Sequence, residues 1–359
     1  MTYRAEAQAL DAELLQCVGR RAVPNFNDLA LRIFAHQLRY NEPYAKYAAS
    51  LGVTLDAMPP DWERIPPVPA AAFKEAALCT FDPACAELVF ETSGTTQGSS
   101  GQHYMETADL YDAALIAGFG DAMLSDVNEP LRYLLLVPNP AQRPHSSLGY
   151  MMRKVADVFG DGQEQWYLEG DDLRVDRFIR DCERAERSGV PLCIAGTAFA
   201  FVNLLDELRR RGVADLRLPS GSRIMETGGF KGRTRVVERA ELYAQIASLF
   251  ALPPDRIIAE YGMTELTSQY YDDVNRTKTA PPWLRPRVVG PDGKTLPTGD
   301  VGALVHVDLA NRSSCVAIQT EDLGVRTSDG GIMLIGREQG AELRGCSLDA
   351  EQLRTLAAR

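Results

Sequence analysis

The sequence has no CxxC pair, and its seven cysteines are odd in number and widely spaced. That excludes a zinc ribbon built on paired cysteines, argues against a disulfide framework, and fits a reduced compartment. Only four histidines are present, and none pairs with another at metal-ligand spacing, so no structural zinc site is expected. No apolar run approaches the ~20 residues of a membrane span, and the start, Met1 to Ala7, lacks the apolar core of a signal peptide. A soluble, cytoplasmic protein without a membrane partner is expected. Positive charge is also short: 38 Lys plus Arg face 49 Asp plus Glu, for a net charge of −11. That balance argues against nucleic acid or an anionic lipid surface as a partner. No internal repeat and no low-complexity tract breaks up the 359 residues, a length that holds one large α/β domain or two smaller ones.

What is present begins with a stretch made mostly of Ser, Thr and Gly, Phe90 to Gln102, which follows the apolar run Leu88-Val89-Phe90 and precedes a helix-like segment from Thr107 to Ile116. Small residues let backbone N–H groups converge on one point while hydroxyls add donors, which suits a phosphate. The same composition also makes a flexible turn. The stretch carries no lysine between Gln97 and Gln102, so it is not a Walker A loop.

Upstream, residues 3 to 48 repeat apolar positions at three- and four-residue steps and predict helices, and the Pro-rich passage from Pro59 to Pro69 predicts extended chain. Downstream, apolar runs at Arg132 to Pro138, Pro191 to Thr197 and Ser222 to Gly229 are each followed by a turn and a helix-like segment. Strand, turn and helix in alternation predict an α/β fold with a largely parallel sheet, whose ligands gather beyond the carboxyl ends of the strands. From Arg285 the pattern changes to short strands and turns.

Ile257 to Thr267 is a further apolar run ending in a polar turn, Tyr261-Gly262-Met263-Thr264-Glu265. A tyrosine there can stack on a planar ring, a threonine can bond phosphate, and a glutamate can hold Mg²⁺, which takes oxygen ligands; a capped helix start gives the same string. Asp322-Leu323-Gly324 and Gly336-Arg337 follow. A carboxylate on a turn can accept both ribose hydroxyls, and an arginine adds charge-assisted bonds, although each is also an ordinary turn residue.

In this order, Thr92-Ser93-Gly94-Thr95-Thr96, Tyr261 to Glu265, Asp322 to Gly324 and Gly336-Arg337 resemble the motif series of the adenylate-forming acyl and aryl ligases. The likeness is to their acyl-protein synthetase branch, the long-chain-fatty-acid–luciferin-component ligases. It rests on Ile65 to Pro69 with Phe73-Lys74, on Pro144 to Leu148, and on Arg344 to Leu348. The resemblance implies a large α/β adenylate-forming N-terminal domain with a β-rich subdomain and a truncated C-terminal domain. The corresponding division is a helical lead-in at 1–58, an adenylation core at 59–284, a β-rich subdomain at 285–336 and a short remnant at 337–359. Where coenzyme A ligases carry a further mobile domain, 359 − 337 = 22 residues follow Arg337.

It implies ATP and Mg²⁺ as cofactors and a carboxylic acid, fatty in kind, as substrate. Thr92, Ser93, Gly94, Thr95 and Thr96 would hold the β- and γ-phosphates. Gly228 and Gly229 would border adenine and the acyl group, and Tyr261, followed by Gly262, would stack on adenine. Thr264 would touch the α-phosphate, Glu265 would hold the metal, Asp322 the ribose and Arg337 the ribose or phosphate. His145 matches the histidine beside the reacting carboxylate. Cys346 is implied as the thiol that accepts the acyl group, and its other reading is a packed cysteine before a final helix. An acyl-accepting reductase, thioesterase or carrier protein is an expected partner. The remaining cysteines, with His36, His103 and His306, are expected to be structural, although His103 lies near enough to the loop to contact phosphate. Transfer to coenzyme A, a carrier thiol or an amine, and an inactive nucleotide-binding partner, are the alternatives.

Overall fold

The computed structural model describes residues 2–92, 100–170, 172–228 and 237–337. The chain forms two compact units, one of residues 119–262 and 271–275, the other of residues 1–118, 263–270 and 276 onward.

The first of these holds a parallel sheet in the order Gln165–Glu169, Arg132–Pro138, Leu192–Thr197, Arg223–Thr227, Ile257–Tyr261, with the short strand Asp172–Leu173 antiparallel at its edge. Parallel strands are covered on both faces and therefore read as unbroken apolar runs; Tyr133, Leu134, Leu135, Leu136 and Val137 are all fully buried. Four helices, Ser147–Phe159, Val175–Ser188, Ala198–Arg210 and Arg239–Phe250, provide crossovers and cover. Val175–Ser188 buries Val175, Phe178, Cys182 and Ala185, one stripe at helical spacing. Ala198–Arg210 starts where the Thr197 hydroxyl accepts from Ala200 N at 3.1 Å. Just before it, a Cβ on Gly196 would lie 2.7 Å from Leu136 Cβ on the neighbouring strand, so this crossing admits only glycine without a shift.

The second unit opens on the helices Tyr3–Arg20, Phe26–Tyr40 and Glu42–Ser50. Asn41 ends one helix and caps the next: its Oδ1 accepts from Tyr44 N at 3.2 Å, and its Nδ2 donates to Ser314 O at 3.1 Å. The Pro-rich passage, expected to be extended throughout, breaks into one short 3-10 turn at Trp62–Arg64 before it runs extended to the strand Val68–Pro69. Tyr44 donates to Pro66 O at 2.7 Å, and Val68–Pro69 pairs in parallel with Ala317–Arg326. Phe34, Tyr44, Trp283, Val307 and Ile318 belong to one core.

The change of pattern at Arg285 corresponds to an antiparallel meander of Leu284–Val289, Val301–Asp308, Ala317–Arg326 and Ile332–Arg337. Its last turn is closed by Thr327 N to Gly331 O at 2.9 Å, with Gly330 at φ 87 supplying the left-handed residue. A separate hairpin pairs Leu88–Glu91 with Gln102–Met105. The fold is therefore mixed α/β, with mainly parallel strands in one unit and mainly antiparallel strands in the other. Among the described residues, no helix is long and apolar enough to cross a membrane.

Candidate functional site

The hairpin brackets the Ser/Thr/Gly stretch. At its open end Thr92 N donates to Gly101 O at 2.8 Å and Gly101 N donates back to the Thr92 hydroxyl at 2.9 Å, so the base of the stretch is pinned at both sides. Ser93, Gly94, Thr95 and Thr96 lie outside the described residues, as do Gly229 and Cys346. The strand Gln102–Met105 alternates half-buried and buried positions, with His103 and Met105 inward.

In the same unit, Thr264 and Glu265 sit on a turn held by side chains. His103 Nδ1 lies 2.8 Å from Thr264 O, Asn311 Nδ2 donates to Glu265 O at 2.9 Å, and Asn311 Oδ1 accepts from Thr267 N at 2.8 Å. Asp308 accepts from Ser268 N and from the Ser268 hydroxyl, each at 2.8 Å, and from Thr267 N at 3.1 Å. Burial pushes the Asp308 carboxyl up to about 6, even though these donors and Ala310 N act to lower it. Glu265 itself is buried and Thr264 half-buried. His103 is buried, as expected of a structural histidine, and its Nδ1 faces a carbonyl.

Asp322 and Arg337 are direct partners across the antiparallel ladder of Ala317–Arg326 and Ile332–Arg337. Sequence placed them on separate turns, whereas the register brings their backbones side by side within strands. His306, buried on the adjacent strand Val301–Asp308, is pulled down to about 4 by desolvation, with the Asp322 charge acting in the opposite sense.

In the parallel unit, Thr227 and Glu260 are ladder partners and the threonine hydroxyl donates to the glutamate, so Gly228 and Tyr261 follow at the carboxyl ends of adjacent strands. Gly228 has φ 72, and a Cβ there would meet nothing within 4 Å among the described residues. Tyr261 and Gly262 are half-buried. His145 is exposed on the loop after Arg132–Pro138, one residue before Ser146, whose hydroxyl caps Ser147–Phe159 through Gly149 N at 3.1 Å. Both sets follow the rule that ligands meet a parallel sheet at its strand ends.

Residues 5–354 match the sequence profile of LuxE, acyl-protein synthetase. The chain belongs to this family. A relative from Vibrio harveyi, a long-chain-fatty-acid–luciferin-component ligase, is 24% identical over 336 residues, covering 89% of this chain and 85% of its own. Among solved structures, a 2-hydroxyisobutyryl-CoA ligase in complex with 2-HIB-AMP and CoA matches with a TM-score of 0.65 at 12% identity, over 87% of this chain and 74% of that one. ATP-bound MatB from Rhodopseudomonas palustris matches with a TM-score of 0.50 at 18% identity, over 72% of this chain. The chain spans about half of MatB's length, 50%. Both structural likenesses speak for the fold. As a member of the acyl-protein synthetase family, the chain is a synthetase by class.

The motif series of this acyl-protein synthetase implies a nucleotide with Mg²⁺. Among the described residues, no group of three or more His, Cys, Asp or Glu is placed to hold a metal by itself. Mg²⁺ needs no such cage, because it is commonly bound by one or two carboxylates plus substrate phosphates. Glu265 offers one such carboxylate on a fixed turn. All six described cysteines are free thiols. Burial pushes Cys79 up to about 11 and Cys193 up to about 12, and raises Cys182 and Cys315 further, which suppresses the thiolate and fits packing roles. Asp308 and Asn311 were missed in the sequence. Their only signal is a polar turn after an apolar strand, which reads as solvent-exposed.

Proposed function

We propose that this acyl-protein synthetase activates a long-chain fatty acid with Mg-ATP and passes the acyl group to a thiol, its own Cys346. The reading is carried by the register that sets Asp322 opposite Arg337, which gives the ribose pair of the motif series one shared location. The names of the relatives favour a fatty acid, and the ATP-bound neighbour favours ATP. A carboxylate oxygen of the acid bonds to the α-phosphorus while the bond to the β-phosphate bridging oxygen breaks, giving acyl-adenylate and pyrophosphate. Negative groups must approach one another in this step, so fixed dipoles and positive charge do most of the catalysis. Residues 92–96 bind the leaving pyrophosphate, Thr264 the α-phosphate, and Tyr261 with Gly228 the adenine; Glu265 would hold Mg²⁺, which would neutralise phosphate charge. His145 orients the acid. The Cys346 thiolate then attacks the acyl carbon, and AMP leaves.

The test follows acid-dependent pyrophosphate release with Mg-ATP and saturated acids from octanoate to octadecanoate. Release with a long-chain acid is expected, and Glu265→Ala should lose it. No release with any acid sinks the reading in favour of an inactive nucleotide-binding protein. With radioactive acid, wild type should keep a hydroxylamine-labile label after denaturation and Cys346→Ser should not; label retained by the variant removes Cys346 from the pathway and leaves coenzyme A, a carrier thiol or an amine as acceptor.

A further inference from the structure

We infer that His103 is a positioning residue for adenylation, locking the turn of Thr264 and Glu265 to the hairpin that bears the phosphate stretch. The inference rests on the adenylation reading above and assigns a residue that the reading does not use. His103 is 1% exposed, stands opposite Phe90 in the hairpin register, and packs edge-on against Phe73 at 5.7 Å. Its Nδ1 is 2.8 Å from Thr264 O. A carbonyl oxygen only accepts, so Nδ1 must carry the proton. Burial holds the imidazole neutral by pulling it down to about 4, which fits a fixed donor rather than a proton carrier or a phosphate-binding cation.

This bond joins two motifs 161 positions apart in sequence. One end is the strand leaving the phosphate stretch, whose base is closed between Thr92 and Gly101. The other is the turn whose next carbonyl, that of Glu265, is taken by Asn311. With consecutive carbonyls held from two directions, the turn cannot slide along the hairpin without breaking a buried bond. An error of about 1 Å in such a constellation costs on the order of 100-fold in rate.

The experiment compares His103→Leu, His103→Asn and His103→Gln in the full chain, with Mg-ATP and tetradecanoate, by pyrophosphate release at a temperature where each variant is folded by circular dichroism. Asparagine places its amide nitrogen where Nδ1 stands, and glutamine places it near Nε2. We expect His103→Leu and His103→Gln to lose kcat by about tenfold or more with KM for ATP within about twofold, and His103→Asn to recover most of it. Folded His103→Leu or His103→Gln at wild-type kcat overturns the proposal, as does His103→Asn falling as low as His103→Gln. If the leucine variant does not fold, the asparagine–glutamine pair decides. A wild type without release with any acid overturns the adenylation reading and this proposal together, whereas an active wild type with indifferent variants overturns this proposal alone.

Discussion

In the parallel unit the centre is made of strands buried on both faces, Leu134 to Val137 and Leu192 to Ala195, whose polar atoms are backbone groups satisfied by the ladder itself. In the other unit the interior around Thr264 to Ser268 is held by an aspartate, an asparagine and a histidine. Three of the four histidines, His36, His103 and His306, are buried there, whereas His145 of the parallel unit is exposed. Both units have an apolar core, and the difference lies in the second unit's turn at Thr264 to Ser268, which directional side-chain bonds hold in place. Directional bonds can place a reacting group, but they also bring titratable groups into the core.

Acid should separate the units most. Burial lowers His36, His103 and His306 to about 4 each, so below their ordinary value of 6.5 the unfolded chain binds more protons than the folded one. Their stabilising effect is full above pH 6.5 and is lost as pH falls toward 4, on the order of 1 kcal/mol per histidine per pH unit. Asp308, raised to about 6, acts oppositely: its contribution is lost as pH rises through 6 and returns on acidification. Asp11, also raised by burial, acts in the same sense as Asp308, so three histidines oppose two carboxyls. Asp126 of the parallel unit, lowered to about 2 by Arg223 and Arg256, responds only below pH 4. Hydrogen exchange at pH 5 against pH 7, corrected for intrinsic rates, should show protection lost in residues 26–40 and 301–308 and kept in 132–138 and 192–197. Equal loss in both would break the comparison.

Phe201→Ala in the apolar core of the parallel unit should cost about 3–5 kcal/mol by denaturant unfolding. A cost below about 1 kcal/mol would show that core able to collapse around the gap. Asp308→Ala leaves two backbone N–H groups of the Glu265 turn without this acceptor and should cost about 3 kcal/mol, with faster exchange at Thr267 and Ser268. Unchanged exchange there would mean that the turn holds itself. Gly196→Ala should cost about 1–3 kcal/mol, because the new methyl meets Leu136 Cβ rather than the end of a flexible side chain. An unchanged unfolding midpoint would mean that the two strands part easily.

The parallel unit was the more legible one for this same reason. Arg132–Pro138 and Leu192–Thr197 announce themselves as apolar runs, and Thr197 caps its helix as a short-range signal. The hairpin strand Gln102–Met105 was not foreseen: with His103 as an inward residue, its period of two does not read as apolar and polar alternation. His103 was weighed as a phosphate contact because it lies close to the stretch in sequence, but the strand's register turns it to the interior. Asp308 and Asn311 look like surface turn residues, and their burial depends on helices near the start of the chain: Gln37 Nε2, for example, donates to Asn311 O at 2.9 Å. The order of motifs nominates residues for the candidate site; which of them are neighbours is long-range information. Asp322 and Arg337 show this, since their pairing is a matter of strand register.

That register has a consequence for how the enzyme can vary. The turn from Thr327 to Gly331 meters the distance between position 322 and its partner. The ladder already shifts register between Leu323 and Gly324, so an insertion in this turn that the irregularity does not absorb would seat residue 336 opposite Asp322, and a strand slipped by one residue presents its opposite face. Loop length here therefore helps set which residue stands beside Asp322. Diversity in this hairpin should come by substitution, while a length change, though far from any reacting atom in sequence, should act like the loss of a binding residue.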